Sequence, residues 1–127
     1  MFTSIRYFTK EEAEALLPQI SQIILSIQGE KEKLDQKFRV WELKEKSGDP
    51  AQAALLRGQI EFLAKTIEGF IEKVQSLGCV LKDISTGLID FPARINGKEA
   101  YLCWKPGESG ILFWHGITEG FPGRKPL

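Results

Sequence analysis

Two apolar runs of the same rhythm, separated by one short polar break, constrain this chain more than any other feature. From Ile20 the apolar positions fall at Ile20, Ile24, Ile27, Leu34, Phe38 and Trp41, with Lys31 in the skipped slot. A second run reads Leu56, Ile60, Leu63, Ile67, Phe70, Val74 and Leu77. Alternating steps of four and three hold apolar side chains on one stripe of a helix. Between the runs lies Ser47-Gly48-Asp49-Pro50, where glycine stops one helix and proline opens the next.

The two runs can be set against each other. A turn centred between Gly48 and Asp49 places Trp41 opposite Leu56, Phe38 opposite Ile60 and Leu34 opposite Leu63. Further along it places Ile27 opposite Phe70, Ile24 opposite Val74 and Ile20 opposite Leu77. Every apolar slot meets an apolar partner, as in a left-handed antiparallel coiled coil. Lys31 faces Ile67 and is the one break; its stem can lie on the seam while the ammonium turns to water.

The hairpin's ends are marked as well. Thr9-Lys10-Glu11-Glu12 fits a capping box, and Glu11, Glu12 and Glu14 suit the positive end of the helix dipole. Pro18 removes one backbone donor and is expected to kink the helix or end a first short segment. Gly78 is placed for a left-handed cap. Ile23, Leu25, Phe62 and Ile71 lie on or beside the seam, so either a sheet or a second subunit must cover them. A homodimer, or a protein partner held along the hairpin, is the expected association.

Past Gly78 the period changes to two. Cys79-Val80-Leu81 reads as a short strand and Ser85-Thr86-Gly87 as a turn. Leu88–Ile95 and Lys98–Trp104 then flank Asn96-Gly97, the strongest short hairpin signal. A type I′ turn there pairs Ile89 with Trp104, Phe91 with Leu102 and Ala93 with Ala100 on one face. The other face pairs Asp90 with Cys103, Pro92 with Tyr101 and Arg94 with Glu99. Pro92 falls on a non-hydrogen-bonded pair, so its missing donor must face an edge, a bulge or an unpaired stretch. Ile111–His115 reads as a further strand beside Lys98–Trp104, and Ile5–Phe8 as a weaker one. The fold class is α+β: a long antiparallel two-helix hairpin over residues 9–77, packed at its open end on a small antiparallel sheet and loop over 78–127. Ala13, Leu16 and Leu17 are expected to meet the sheet there. The whole 1–127 reads as one domain.

Charge narrows the partners. The chain has 17 basic and 17 acidic residues and no basic segment, so nucleic acid is not expected. Its most apolar stretch, Ile20–Ile27, is too short to span a bilayer, and the first residues do not form a signal peptide; no membrane association and a cytoplasmic location are expected. Cys79 and Cys103 form no C-x-x-C pair and read as small buried thiols.

His115 is the only histidine, so a Cys–His catalytic pair must use it. Cys103 is the better nucleophile of the two, yet it is expected on the sheet face opposite His115, which argues for a structural histidine. Asp83, Asp90, Glu108, Glu119 and His115 could supply metal ligands, foremost His115, Asp90 and Glu108, but their spacing matches no metal motif. No cofactor is implied, and no catalytic residue is assigned. The last twelve residues, with three glycines and two prolines, are expected to be neither helix nor ordinary strand; Phe121 argues for an anchored loop, with Glu119 and Arg124 as its polar groups.

Several segments carry a resemblance: Gly87–Ala93, Tyr101–Trp104, Gly107-Glu108, Trp114-His115, Glu119–Arg124 and the opening Tyr7–Pro18. Together they resemble the bacterial domain-of-unknown-function family numbered 2203. The resemblance implies no activity, cofactor or partner. It does imply that Asp90, Glu108, His115 and Arg124 belong to one pattern with the aromatic residues. Gly116 departs from it, standing where a polar or acidic residue is expected. Taken together, the sequence reads as a non-catalytic interaction or assembly module that self-associates through its hairpin. The alternative is a small-ligand, metal or enzymatic site in the loops around His115, with Asp90, Glu108, His115, Glu119 and Arg124 as the candidate cluster.

Overall fold

A computed structural model describes residues 5–127. Helix α1 spans Lys10–Lys46 and helix α2 spans Pro50–Ser76, packed against each other as an antiparallel hairpin. Thr9 caps α1 as its spacing predicts: its hydroxyl accepts from the Glu12 amide at 3.1 Å, and the Glu12 carboxylate accepts from the Thr9 amide at 2.9 Å. Asp49 caps α2 by accepting from the Gln52 amide, with Pro50 in the first turn. Gly78, at φ +96°, follows α2 in the left-handed conformation that favours glycine.

Pro18 neither ends α1 nor splits it; the helix runs through. The tertiary packing on either side accounts for this, because Ala13 and Ile20 are both fully buried and hold the two flanking turns on one core. Lys31 is half-buried, and its ammonium is drawn sideways to Asp35 at 2.7 Å. Phe38 departs from the expected seam. It is 44% exposed and leans on the Trp41 ring, with centroids 5.4 Å apart, because the distal hairpin has no third layer above it.

The sheet order is β1 (Val80–Asp83), β2 (Leu88–Ile95), β3 (Lys98–Trp104), β4 (Phe113–Gly116) and β5 (Lys125–Pro126), each antiparallel to its neighbour. Between β2 and β3 the register runs from Ile89↔Trp104 to Ile95↔Lys98, as the Asn96-Gly97 turn requires. β1 meets β2 only as far as Val80↔Asp90, so Pro92 lies beyond its reach. The segment before α1 runs beside it instead of forming a strand: the Phe8 amide donates to the Pro92 carbonyl at 2.8 Å. The structural placement of Met1–Ser4 lies outside the described residues.

The fourth strand begins later than the expected Ile111. The Ile111 amide is taken by the Glu14 carboxylate at 3.0 Å, and its side chain is fully buried, so pairing with β3 begins only at Phe113. The C-terminal segment is also more ordered than its glycines and prolines suggest. A 3-10 turn at Phe121–Gly123 leads into β5, which pairs with Phe113 and Trp114, and the Leu127 amide donates to Leu112.

The core lies where the open end of the hairpin meets one face of the sheet. Ile20, Ile24, Ile27 and Val74 from the helices are buried with Ile89, Phe91, Leu102 and Trp104 from the strands, and Ala13, Leu16 and Leu17 join them. Ile23 and Ile71 are absorbed into the same core, whereas Leu25 and Phe62 stay exposed. Gly87, at φ +75°, is wedged between the layers: a Cβ there would stand 2.8 Å from Pro106 and 2.9 Å from Ile24. Gly87→Ala is therefore expected to destabilise the fold by about 2–4 kcal/mol, from backbone strain plus crowding. Gly29 sits in open space on α1, so Gly29→Ala should stabilise by about 0.5–1 kcal/mol. Urea denaturation of the two variants checks the opposite signs.

Candidate functional site

Side chains alternate across a strand, so burying Ile89, Phe91, Leu102 and Trp104 under the hairpin sends Asp90 and Cys103 to the opposite face. In the β3–β4 register Tyr101 pairs with His115 and Cys103 with Phe113. Odd-numbered residues of the two strands therefore share a face, and His115 joins Cys103 and Asp90. This corrects the expectation that Cys103 and His115 would stand on opposite faces. That expectation followed from the sequence alone, where the loop between β3 and β4 hides which residues pair.

Asp90 and His115 are each 2% exposed, and Cys103 is fully buried. His115 Nε2 lies 3.0 Å from Asp90 Oδ1, and Nδ1 lies 2.8 Å from the Gly116 carbonyl. A carbonyl only accepts, so Nδ1 carries a proton and donates it. One further cationic or protonic charge is then needed between Nε2 and Asp90, because a bare imidazole lone pair and a carboxylate would repel. The Cys103 sulfur completes the group, with all three donor atoms within 4.8 Å of one another. Burial, and then the neighbouring Asp90 carboxylate, push the Cys103 thiol up to about 12. It is a neutral thiol across the physiological range and no free nucleophile. The Tyr101 ring lies against His115, with centroids 5.5 Å apart.

Glu108 and Arg124 form a second pair beside the first. Arg124 Nη2 donates to both Glu108 oxygens at 2.7 Å and to the Cys103 carbonyl at 3.3 Å. The guanidinium rests on Phe113 at 4.1 Å and Phe121 at 4.9 Å. Its Nε is buried without a partner among the described residues. Glu108 also accepts from the Lys105 amide, while its own carbonyl accepts from the Trp104 indole. Glu119 holds the other flank: it accepts from the Gly116 amide at 2.6 Å and from Lys125 at 2.9 Å. The Lys125 ammonium and then the Gly116 amide lower its carboxyl below the ordinary glutamate range. Its carboxylate occupies the space a side chain at 116 would need, 2.8 Å from a Cβ built there.

All five candidate residues thus lie on one side of the sheet, from β2, the β3–β4 loop, β4 and the C-terminal segment, in two layers. Asp90 and His115 touch directly, and Glu108, Arg124 and Glu119 brace the backbone around them at Cys103 and Gly116. Glu108 is not a neighbour of His115 in the way the proposed ligand set required, because its carboxylate is committed to Arg124. Asp83 is removed from the set as well. It closes its own turn by accepting from Ser85 and Thr86, whose hydrogen bonds lower its carboxyl. The residue that sequence reading left out of the group is Cys103, which strand parity would have added had the β3–β4 register been known. Cys79 is apart from all of this, buried near Val74 with its thiol pushed up to about 11 by burial.

Residues 6–127 match the family described as an uncharacterized conserved protein, DUF2203. The chain belongs to this family. The match runs through both helices and the whole sheet. No curated protein and no solved structure matches the chain. No helix among the described residues is long and apolar enough to cross a membrane.

Arg124 and Glu108 are 11% and 13% exposed in their side chains, so removing one leaves a nearly buried charge. Arg124→Ala is expected to cost about 3–5 kcal/mol in denaturant unfolding. Arg124→Lys should recover only part, since an ammonium cannot lie flat on Phe113 and Phe121. For Glu119 the folded carboxyl is depressed, so its contribution to stability is complete above its unfolded pKa of about 4.3 and fades as pH falls below it. Lys125→Ala should move the Glu119 carboxyl titration, followed by carbon NMR, upward toward the ordinary range.

Proposed function

We propose that this chain is an assembly module whose hairpin pairs with the hairpin of a second copy. The observation that carries this reading is an apolar groove on the distal half of the hairpin, about 630 Å³ in volume. Lys33 and Lys37 of α1 and Ala54, Leu55, Gly58 and Phe62 of α2 line it. Phe62 is 71% exposed at its edge and Leu55 is 57% exposed. A large exposed aromatic contiguous with an apolar groove supports reading this side of the hairpin as an interface.

A second copy is the occupant that the groove's own residues favour. A two-fold interface uses the same patch twice, so it needs a knob and a hole side by side. Phe62 is the knob. Ala54 and Gly58 make the hole; nothing lies within 4 Å of where a Gly58 Cβ would stand. Helical spacing also places Glu61 on the outer edge of the same α2 face, seven residues after Ala54. Paired about a two-fold axis, that edge faces the Lys33 and Lys37 rim of the other copy, an attraction of opposite charges. Val40 and Leu43, both exposed, extend the same side of α1 toward the tip. Four helices packed this way form a bundle, which gives the distal hairpin the third and fourth layers it lacks. Residence in the cytoplasm agrees with this reading, as both cysteines are free and buried.

Sedimentation equilibrium of the full chain is expected to give twice 14.3 kDa. Phe62→Ala should raise the dimer dissociation constant at least about 30-fold, and Phe62→Glu should give a monomer with unchanged helix content. A wild-type monomer at about 100 μM would end the proposal, as would a Phe62→Glu dimer of unchanged affinity.

A further inference from the structure

The geometry points to a divalent metal site of the zinc class at Asp90, Cys103 and His115, on the sheet face turned away from the hairpin. It stands independently of self-association. The three donors are one oxygen, one sulfur and one nitrogen, a set that suits a borderline-soft ion such as Zn²⁺ rather than Mg²⁺ or Ca²⁺.

The first support is the histidine's orientation. The Gly116 carbonyl fixes the proton on Nδ1, which leaves Nε2, facing Asp90, as the nitrogen that can exchange a proton for a metal ion. Metal-binding histidines are commonly held this way, with the remote nitrogen donating to a backbone carbonyl. The second is spacing. Tetrahedral zinc bonds of about 2.0–2.3 Å separate ligand atoms by roughly 3.3–3.8 Å. Here Nε2 and Oδ1 are 3.0 Å apart, and one ligand atom from each of Asp90, Cys103 and His115 lies within 4.8 Å of the other two. An ion is accommodated by side-chain shifts on the order of 1 Å.

Charge gives the third support. Without an ion, a proton between Asp90 and His115 satisfies that pair, and the Cys103 thiol hydrogen-bonds to Asp90. A divalent cation uses all three: with one carboxylate, one thiolate and a neutral imidazole, the buried site sums to zero. Two protons leave to solvent as the ion binds, one from the Cys103 thiol and one from between Asp90 and His115, so the divalent charge replaces two protons. The ligands come from three adjacent strands, β2, β3 and β4, with Asp90 and Cys103 as direct cross-strand partners, a more rigid mounting than loops provide. Arg124 on the Cys103 carbonyl, and Glu119 on the Gly116 amide, act as positioning residues for the backbone behind two of the ligands. Three protein ligands leave one tetrahedral position for a water or a small anion.

The test uses the full chain stripped with a chelator and titrated with Co²⁺, then Zn²⁺. One equivalent of Co²⁺ should produce thiolate-to-metal absorption in the near ultraviolet, which Zn²⁺ abolishes by displacement. Cys103→Ser should remove that band and weaken binding by more than the roughly 100-fold that loss of an outer hydrogen bond costs. Because His115 is the only histidine, nitrogen NMR of the wild type reads the site even if a variant misfolds: Zn²⁺ should shift Nε2 alone and leave Nδ1 protonated. The proposal is overturned if Co²⁺ gives no sulfur band, if Cys103→Ser binds as tightly as wild type, or if Nε2 does not respond to one equivalent of Zn²⁺.

Discussion

The packing of one sheet face on the open end of the helical hairpin is the contact on which the rest of this molecule depends. Two helices alone can bury only the stripe between them, and a five-stranded antiparallel sheet needs at least one covered face. Each supplies what the other lacks. Ile20, Ile24 and Val74 are fully or almost fully buried only because Ile89, Phe91 and Trp104 close over them. Ile23 and Ile71 would otherwise sit on wet flanks, and the proximal hairpin is the part that escapes this. Toward the tip, beyond the reach of the sheet, Phe38, Leu43, Leu55 and Phe62 are left exposed.

The same contact decides where the polar residues go. With period two along each strand, committing Ile89, Phe91, Leu102 and Trp104 to the core commits Asp90 and Cys103 to the far side. The β3–β4 register adds His115 there, and the C-terminal segment brings Arg124 back over the same face, on Phe113 and Phe121. A histidine and an aspartate at 2% exposure on a sheet face away from the main core need such a cover. Without it they would be hydrated, and neither their tautomer nor their geometry would be held. The short β5 ladder and the Glu119 bonds to Gly116 and Lys125 keep the cover in place.

The molecule thus divides its unspent surface between two places of different chemistry. The distal hairpin offers apolar area with mixed charge at its rim, suited to a second helical pair. The outer sheet face offers convergent oxygen, nitrogen and sulfur atoms shielded from water, suited to a small cation. Nothing physical couples them directly, since the shared core lies between. The family match covers the residues of both.

Much of this was legible along the chain. The Thr9 cap, the Gly48–Pro50 break and the Asn96-Gly97 hairpin register are local: hydrogen bonds and dihedral preferences within a few residues settle them, so residue identity is enough. Pro18 does not end a first segment, because Ala13 and Ile20 are anchored on a common core, and the pairing of Lys125–Pro126 with β4 was not legible because it joins segments that only the fold brings together. The partnership of Cys103 with His115 was beyond reach for a different reason. Their strands are joined by a loop whose length does not fix a register, and a shift of one residue would turn every side chain over. Glu14 capturing the Ile111 amide, 97 residues away, settles where β4 begins, and only the folded chain brings those two together. The amino-acid sequence by itself determined the elements and the β2–β3 register. The tertiary structure decided which face each polar residue shares, because that depends on contacts between distant segments that no local spacing encodes.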